Sequence, residues 1–447
     1  MTRSSNTGGT RPDPGADVVC LGESMVTFMP TRPGRLADVP SFERGIGGAE
    51  SNVACALART GHRTRWLSRV GADGFGDHLL ETIAAHGVDV SHVQRDPVRP
   101  TGVYFRTVGE RATGAEPGPD TTDAVSDDPA AAGTPGAPPA VPLAEVVYYR
   151  AGSAASALTP ALLDERALWD ARVVHVTGIT AALSDGCLDV LRTITAPAPG
   201  RPLVSFDVNY RVGLWRARAM RRAEEQAAYS DDGPTNDPRT APANAPRTSH
   251  PADGPELLLD LARGCDLVFV GEDEAAAAWG LHGPAAVRAA LPEPGTLVVK
   301  QGSEGATVYA RDEDGTDTVT FAPALTVDVV APVGAGDAFA AGFLAATLRG
   351  LPVFERIRHG HLMAAASLTV TGDVGEPPSR AVADRLVALA PEAWGRLRLG
   401  PGWTTEDGDP HRDAAPGRDG NDGGARERTG DGGSQGPGTA RVEVRTP

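Results

Sequence analysis

The stretch LTVDVVAPVGAGDAFAAGFLAATLRGL, Leu325 to Leu351, decides how the chain is read. Leu325, Val327, Val329 and Val330 have the alternation and branching of a strand running into a core. Pro332 stops that strand, because it has no N–H to give to a ladder. Gly334-Ala335-Gly336 follows, then a helical run with Phe339, Phe343 and Leu344 as its large apolar residues. Arg349, Gly350 and Pro352 mark its end. The glycines therefore sit on a strand-to-helix turn. The first N–H groups of a helix lack partners within it and carry the positive end of its dipole, so this turn favours an anion. Glycine lets the backbone approach a phosphoryl group with no Cβ in the way. Asp337 stands beside that group, where a carboxylate can take a proton from an attacking hydroxyl. An acid that only complements the helix dipole is the plainer reading, and GAGD alone does not choose between the two.

Outward from this stretch, strand-like and helix-like segments alternate. VVCLGESMVTF (18–28) turns at Gly22-Glu23, and FERGIGGAESNVACALARTG (42–61) is a Gly-rich turn leading into a helix. Further strands are read at 65–70, VVHVTGI (173–179), LVSFDVNYR (203–211), LVFVGEDEA (267–275) and TLVVKQGSEGATVY (296–309). Such alternation predicts a doubly wound, mostly parallel sheet in an α/β fold. VYFRTV (103–108) and EVVYYRAG (145–152) read as a hairpin whose tip is expanded. That tip, 110–142, and a second block, 218–255, are rich in Ala, Gly, Pro, Thr and Asp without periodicity. Both are predicted to be disordered insertions, and 1–15 and 401–447 disordered tails. The folded domain is then 17–396.

Composition narrows the class. The 447 residues carry a net charge of −16, which argues against a nucleic-acid or membrane partner. Cys20, Cys55, Cys187 and Cys265 are widely spaced with no CxxC, the pattern of a reduced, cytoplasmic protein rather than of a zinc site. No run of 18 apolar residues occurs. His359 and His361 lie at i and i+2 of a helix and so do not share a face for a metal.

GGAESN, Gly47 to Asn52, is a second glycine turn, whose amides can approach a polyol while Asn52 donates and accepts. An ordinary capped turn is the plain alternative. A dinucleotide fingerprint fits poorly, because Glu50 stands where a third small residue is needed. GGAESN and GAGD together resemble the two signatures of the ribokinase (PfkB) carbohydrate kinase family, over about residues 17–396. The resemblance implies a ribokinase-like three-layer α/β/α sandwich with a small β-sheet lid, made from about 26–46 and 98–152. It implies ATP and Mg²⁺ as cofactors and a homo-oligomer. Asp337 becomes the catalytic base, with Gly334, Ala335 and Gly336 as the anion hole. Gly48 and Asn52 would bind the acceptor. Lys300, Gly302, Ser303 and Gly305 of KxGxxG would lie along the nucleotide with Asn209, Gly334, Gly336 and His361. Glu274 would organise Mg²⁺ through water. Here Gly271 departs from the family's Asn, and His361 also replaces an Asn.

YYRAGSAAS (148–156) and FDVNYRVGLW (206–215) are similar to segments of 2-keto-3-deoxygluconate kinases. That resemblance implies a sugar-acid acceptor touched by Tyr104, Tyr148, Arg150, Arg211 and Asp373, with Arg211 also near the nucleotide. Two guanidiniums at a small pocket suit a carboxylate, which Arg pairs bidentately. The expected reaction is phosphorylation of the 6-hydroxyl. A fructokinase or other sugar kinase, and a non-catalytic sugar-acid sensor, are the alternatives.

Overall fold

The structure is a computed structural model describing residues 15–107, 145–231 and 254–405. Its strands in chain order are β1 Ala16–Leu21, β2 Met25–Pro30, β3 Phe42–Gly47, β4 Thr64–Leu67, β5 Arg69–Gly71, β6 Gln94–Asp96, β7 Val103–Arg106 and β8 Val146–Tyr149. There follow β9 Ala171–Thr177, β10 Leu203–Asp207, β11 Leu267–Gly271, β12 Thr296–Lys300, β13 Gly305–Arg311, β14 Asp317–Pro323, β15 Thr326–Val327 and β16 Arg398–Leu399. Eight of them form the main sheet, in the order β14-β13-β12-β11-β10-β9-β1-β4. Neighbours from β4 to β12 are parallel, while β13 pairs antiparallel with both β12 and β14 and is thus the one reversed strand of this sheet.

Period-2 alternation explains why this sheet is covered on both faces. Val19, Leu21, Val174, Val176, Val204, Phe206, Val268 and Val270 point into one buried cluster with the helices Asp185–Thr195 and Glu256–Arg263. Val18, Cys20, Val173, Leu267 and Phe269 point into another, with the helices Ala49–Arg59 and Ala335–Leu348. The result is the expected three-layer sandwich. A four-stranded lid, ordered β3-β2-β7-β8, stands beside it. The VYFRTV and EVVYYRAG runs pair antiparallel as a hairpin, with Arg106 opposite Val146.

Several expectations need correction. Leu325–Val330 is not a core strand: only Thr326–Val327 is extended, pairing with β16 outside the main sheet. Beyond the edge strand β14 the chain turns away to pair briefly with β16, then reaches the next helix as a loop and leaves Val329 exposed. The run 18–28 is two strands in two sheets, and the turn at Gly22-Glu23 carries the chain from body to lid. The run 65–70 is likewise divided between β4 and β5. The segment 218–255 begins as helix, since Val212–Asp231 is continuous and Arg218 is buried against Asp185 and the Ala181 carbonyl. The folded part also runs past 396 and past the expected tail start at 401: Leu397, Leu399 and Trp403 are buried in a third cluster with Trp394. Most of the 110–142 and 218–255 segments lies outside the described residues.

Candidate active site

The polar groups of the cleft gather at the C-terminal ends of β10, β11 and β12, where open α/β sheets bind ligands. Asp207 ends β10 and Lys300 ends β12. Lys300 Nζ donates to both oxygens of Asp207, at 3.1 and 2.9 Å. Burial opposes the lysine's charge, yet the Asp207 and Glu274 carboxylates hold its pKa above the usual value. Glu274 follows β11 in the first turn of the helix Glu272–Trp279, its Oε2 accepting from the Gly271 N–H at 2.9 Å. Burial, countered by Lys300 and aided by Asp207, pushes the Glu274 carboxyl up.

Gly334 caps the helix Ala335–Leu348 at a φ of 76°, a left-handed conformation that glycine adopts without strain. A Cβ there would lie 2.5 Å from the Asp373 carbonyl oxygen, so only a hydrogen fits. The cap offers no side-chain oxygen to the first helical amides. Gly336 is as bare, and a Cβ on it would stand 3.4 Å from Lys300 Nζ. Together they leave an open turn of backbone beside one lysine.

Asp337 closes this floor. Asn52 Nδ2 donates to its Oδ2 at 2.9 Å, joining the two glycine turns across 285 residues of chain. Burial pushes the Asp337 carboxyl up to about 7, against the Asn52 hydrogen bond and with help from the Asp207 charge. Asn52 and Asn209 are buried, and the Oδ1 of each has no hydrogen-bond partner among the described residues. Asn209 also has a φ of 39°, the one positive value among described non-glycine residues. Strain and orphaned acceptors at one place suit a site awaiting a ligand.

Above the floor, Tyr104 Oη donates to Asp373 Oδ2 at 2.9 Å, and Arg106 Nη2 reaches Asp373 Oδ1 at 2.7 Å. Burial, countered chiefly by Arg106, raises the Asp373 carboxyl. Tyr148 stacks on Tyr104 with ring centroids 5.4 Å apart, and the Arg150 guanidinium lies 5.8 Å from the Tyr148 ring. Arg150 forms an ion pair with Glu23.

The profile of the pfkB family carbohydrate kinase matches residues 16–128 and 241–380. The chain belongs to the pfkB family of carbohydrate kinases. It is a phosphotransferase acting on a sugar hydroxyl. A 2-dehydro-3-deoxygluconokinase of Bacillus subtilis (strain 168) is 30% identical over 369 residues, covering 81% of this chain and 93% of that protein. A probable chloroplastic fructokinase-6 of Arabidopsis thaliana is 26% identical, covering 82% and 79%. The crystal structure of a PfkB protein from Polaromonas sp. JS666 superposes with a TM-score of 0.59 at 30% identity, covering 83% of this chain and 99% of that one.

In this kinase the expected residues fall into groups. Asn52, Lys300, Gly334, Gly336 and Asp337 are joined by the contacts above, and Glu274 and Arg211 bear on them electrostatically. Tyr104, Tyr148 and Asp373 form a second group. Of the two arginines, Arg150 pairs with Glu23, and the charge of Arg211 favours the ionised forms of Asp337 and Glu274. Gly302 and Ser303 lie on the exposed turn after β12, while Gly305 is buried under Phe321 and the Ala322 carbonyl. His361 is buried too, its ring nitrogen 3.2 Å from that same carbonyl and its ring edge-on to Phe339. Its backbone contact leaves Nε2 engaged within the protein.

Arg106 and Glu23 were missed by the sequence reading. Arg106 had a signal, since it lies two residues from Tyr104 and shares its face of β7. Glu23 had none beyond its place in a turn. Glu50, discounted above only as a misfit to a nucleotide motif, is buried and accepts from Thr177 Oγ1 and Thr180 Oγ1, both at 2.8 Å. It pins the first glycine turn to the end of β9.

Proposed function

We propose that this kinase transfers the γ-phosphoryl of ATP to the 6-hydroxyl of 2-keto-3-deoxygluconate, giving 2-keto-3-deoxy-6-phosphogluconate. The observation that carries the chemistry is Asp337: a carboxyl titrating at about 7, held by Asn52 at the mouth of a bare helix N-terminus. Such a group can accept a hydroxyl proton at neutral pH, while the amides of 334–337 take up the charge on the transferred phosphoryl. Support for the acceptor comes from the 30% identical 2-dehydro-3-deoxygluconokinase, matched over 93% of its length. Gly48, Asn52, Tyr104, Tyr148, Arg150, Arg211 and Asp373 would hold that acceptor.

ATP would place its phosphates at the turn of Gly334, Ala335 and Gly336, where no side chain caps the first helical amides and Lys300 Nζ lies beside Gly336. Its remainder would lie along Lys300, Gly302, Ser303 and Gly305, with Asn209, Arg211 and His361. No three His, Cys, Asp or Glu side chains converge as a metal ligand set among the described residues. A Mg²⁺ would thus be carried by the phosphates, with Glu274 reaching it through water, and would neutralise phosphate charge.

A neutral hexose such as fructose is the second reading. It is favoured by the charge balance of the two buried lid arginines: Arg106 is matched by Asp373 and Arg150 by Glu23. ADP release measured over a panel of sugars and sugar acids tests both. The highest kcat/KM is expected for 2-keto-3-deoxygluconate, and a preference for fructose would overturn the acid reading. Turnover of no acceptor at all would support the sensor.

The reading also places the enzyme in the cytoplasm, for which the four free, buried cysteines are the support. No described helix is long and apolar enough to cross a membrane. It takes the enzyme as a homo-oligomer, supported by Val147, Tyr148 and Tyr149 exposed on the lid, Tyr149 by 64%. Sedimentation at assay concentration tests this, and a monomer there would remove it.

A further inference from the structure

All four passes of the chain between body and lid meet at Glu23. It occupies the first pass, between β1 and β2, and is only 3% exposed. On the return after β3, a Cβ at Gly48 would lie 2.4 Å from the Glu23 carbonyl oxygen. Before β7, a Cβ at Gly102 would lie 3.1 Å from its Oε1. On the last return, Ser153 Oγ donates to Oε1, and Arg150 Nη2 lies 2.5 Å from Oε2. The Arg150 Nε, also buried, has no hydrogen-bond partner among the described residues.

We infer that Glu23 is a positioning residue: from the junction of the four passes it seats Arg150 against the acceptor. Resting on the reading of Arg150 as acceptor-binding, the inference names what makes that contact selective. A free arginine carries rotamer entropy that binding must remove. Glu23, itself held by Ser153, removes part of it beforehand through the Nη2–Oε2 ion pair, leaving the Nε unspent. The carboxylate also balances the arginine's charge when the pocket is empty, so the pair can stay buried without a substrate. Because the glycines at 48 and 102 pack against Glu23, any lid movement about these passes shifts Arg150 with it.

The test compares Glu23→Ala, Glu23→Gln, Arg150→Met and the double variant Glu23→Ala/Arg150→Met, using 2-keto-3-deoxygluconate and a neutral hexose. Glu23→Ala is expected to raise KM for the sugar acid by about 10- to 100-fold, with kcat within about 3-fold of wild type. Glu23→Gln, which keeps an oxygen for Ser153 and Arg150, should recover most of that loss. In the Arg150→Met background, Glu23→Ala should add no more than about 3-fold, since its route is already removed. Equal rises in KM for both acceptors, or effects that multiply in the double variant, would show a general lid defect and overturn the inference. If Glu23→Ala does not fold, Ser153→Ala replaces it, with a rise of about 3- to 10-fold expected and an unchanged KM fatal. The wild-type panel separates this from the substrate reading. If hexose is the better acceptor, the acid assignment fails, while the coupling is still read in the double variant: losses from Glu23→Ala and Arg150→Met that do not multiply keep it, and losses that multiply overturn it.

Discussion

The floor of the cleft and the lid above it are built on opposite electrostatic plans. In the floor, three carboxyl groups, Asp207, Glu274 and Asp337, share one lysine and one nearby arginine, and burial pushes Glu274 and Asp337 upward. In the lid region each buried acid has its own arginine, Asp373 with Arg106 and Glu23 with Arg150. A crowded, under-compensated floor keeps a carboxyl ready to take a proton. A balanced lid holds its groups in place and contributes shape, aromatic surface and leftover N–H donors. On the proposed reading, this difference puts chemistry below and choice of acceptor above.

The sharpest way to break this division is Asp337→Asn. If the floor supplies the base, kcat should fall by roughly 10²–10⁴, with ATP and acceptor binding kept. Near-normal turnover measured by ADP release would remove Asp337 from the chemistry. Next comes Gly334→Ala, which puts a methyl against the Asp373 carbonyl at a φ of 76°. Loss of a well-placed oxyanion donor costs about 10²–10³ in kcat, and a loss at the lower end is expected from a displaced turn. An unchanged kcat would mean that this backbone does not hold the phosphoryl group.

Arg211→Leu probes the boundary between the two regions. Hydrogen bonds to charged groups are worth about 1.5–3 kcal/mol, or roughly 10- to 150-fold in kcat/KM. If Arg211 serves the acceptor's carboxylate, turnover of the sugar acid should fall by that factor and turnover of a hexose far less. An equal fall with both acceptors would assign Arg211 to the nucleotide.

A smaller effect is expected from pH. With the Asp337 carboxyl at about 7, kcat/KM should rise with unit slope up to that pH and then level. The same group bears on stability. Folding raises its pKa above the roughly 3.9 of an unfolded chain, so the folded state binds the proton more tightly. Its stabilising contribution is therefore present at low pH and lost as pH rises through about 7. Asp337→Asn should melt higher than wild type at pH 8, with the gain shrinking toward pH 4. A variant melting lower at pH 8 would contradict the crowded floor.

The smallest effect should come from replacing 112–140 with a short Gly/Ser linker. The strands on either side are already closed, with the Thr107 N–H donating to the Glu145 carbonyl at 2.9 Å, so a brief turn can join them. Folding and kcat should survive. A large rise in acceptor KM would show that the segment works with the lid.

What the sequence by itself determined was whatever depends on near neighbours. Glycines at a strand-to-helix turn, a proline that stops pairing, and period-2 runs that bury both faces are written within a few residues of each other. They were enough for a doubly wound sheet, the hairpin and a glycine turn beside Asp337, while the sandwich with its lid followed from the resemblance of the two glycine signatures. Local reading also had a characteristic failure. The branched residues around Val329 look like a core strand, but whether such a run enters a sheet depends on which strand the tertiary fold sets beside it, and here that is β16, outside the main sheet. Only the tertiary structure decided which charges meet. Asn52 and Asp337 are 285 residues apart, Arg106 and Asp373 are 267, and Lys300 and Asp207 are 93. No period or spacing connects such positions. The pairing of Arg150 with Glu23 arises where four separate passes of the backbone converge on one buried carboxylate.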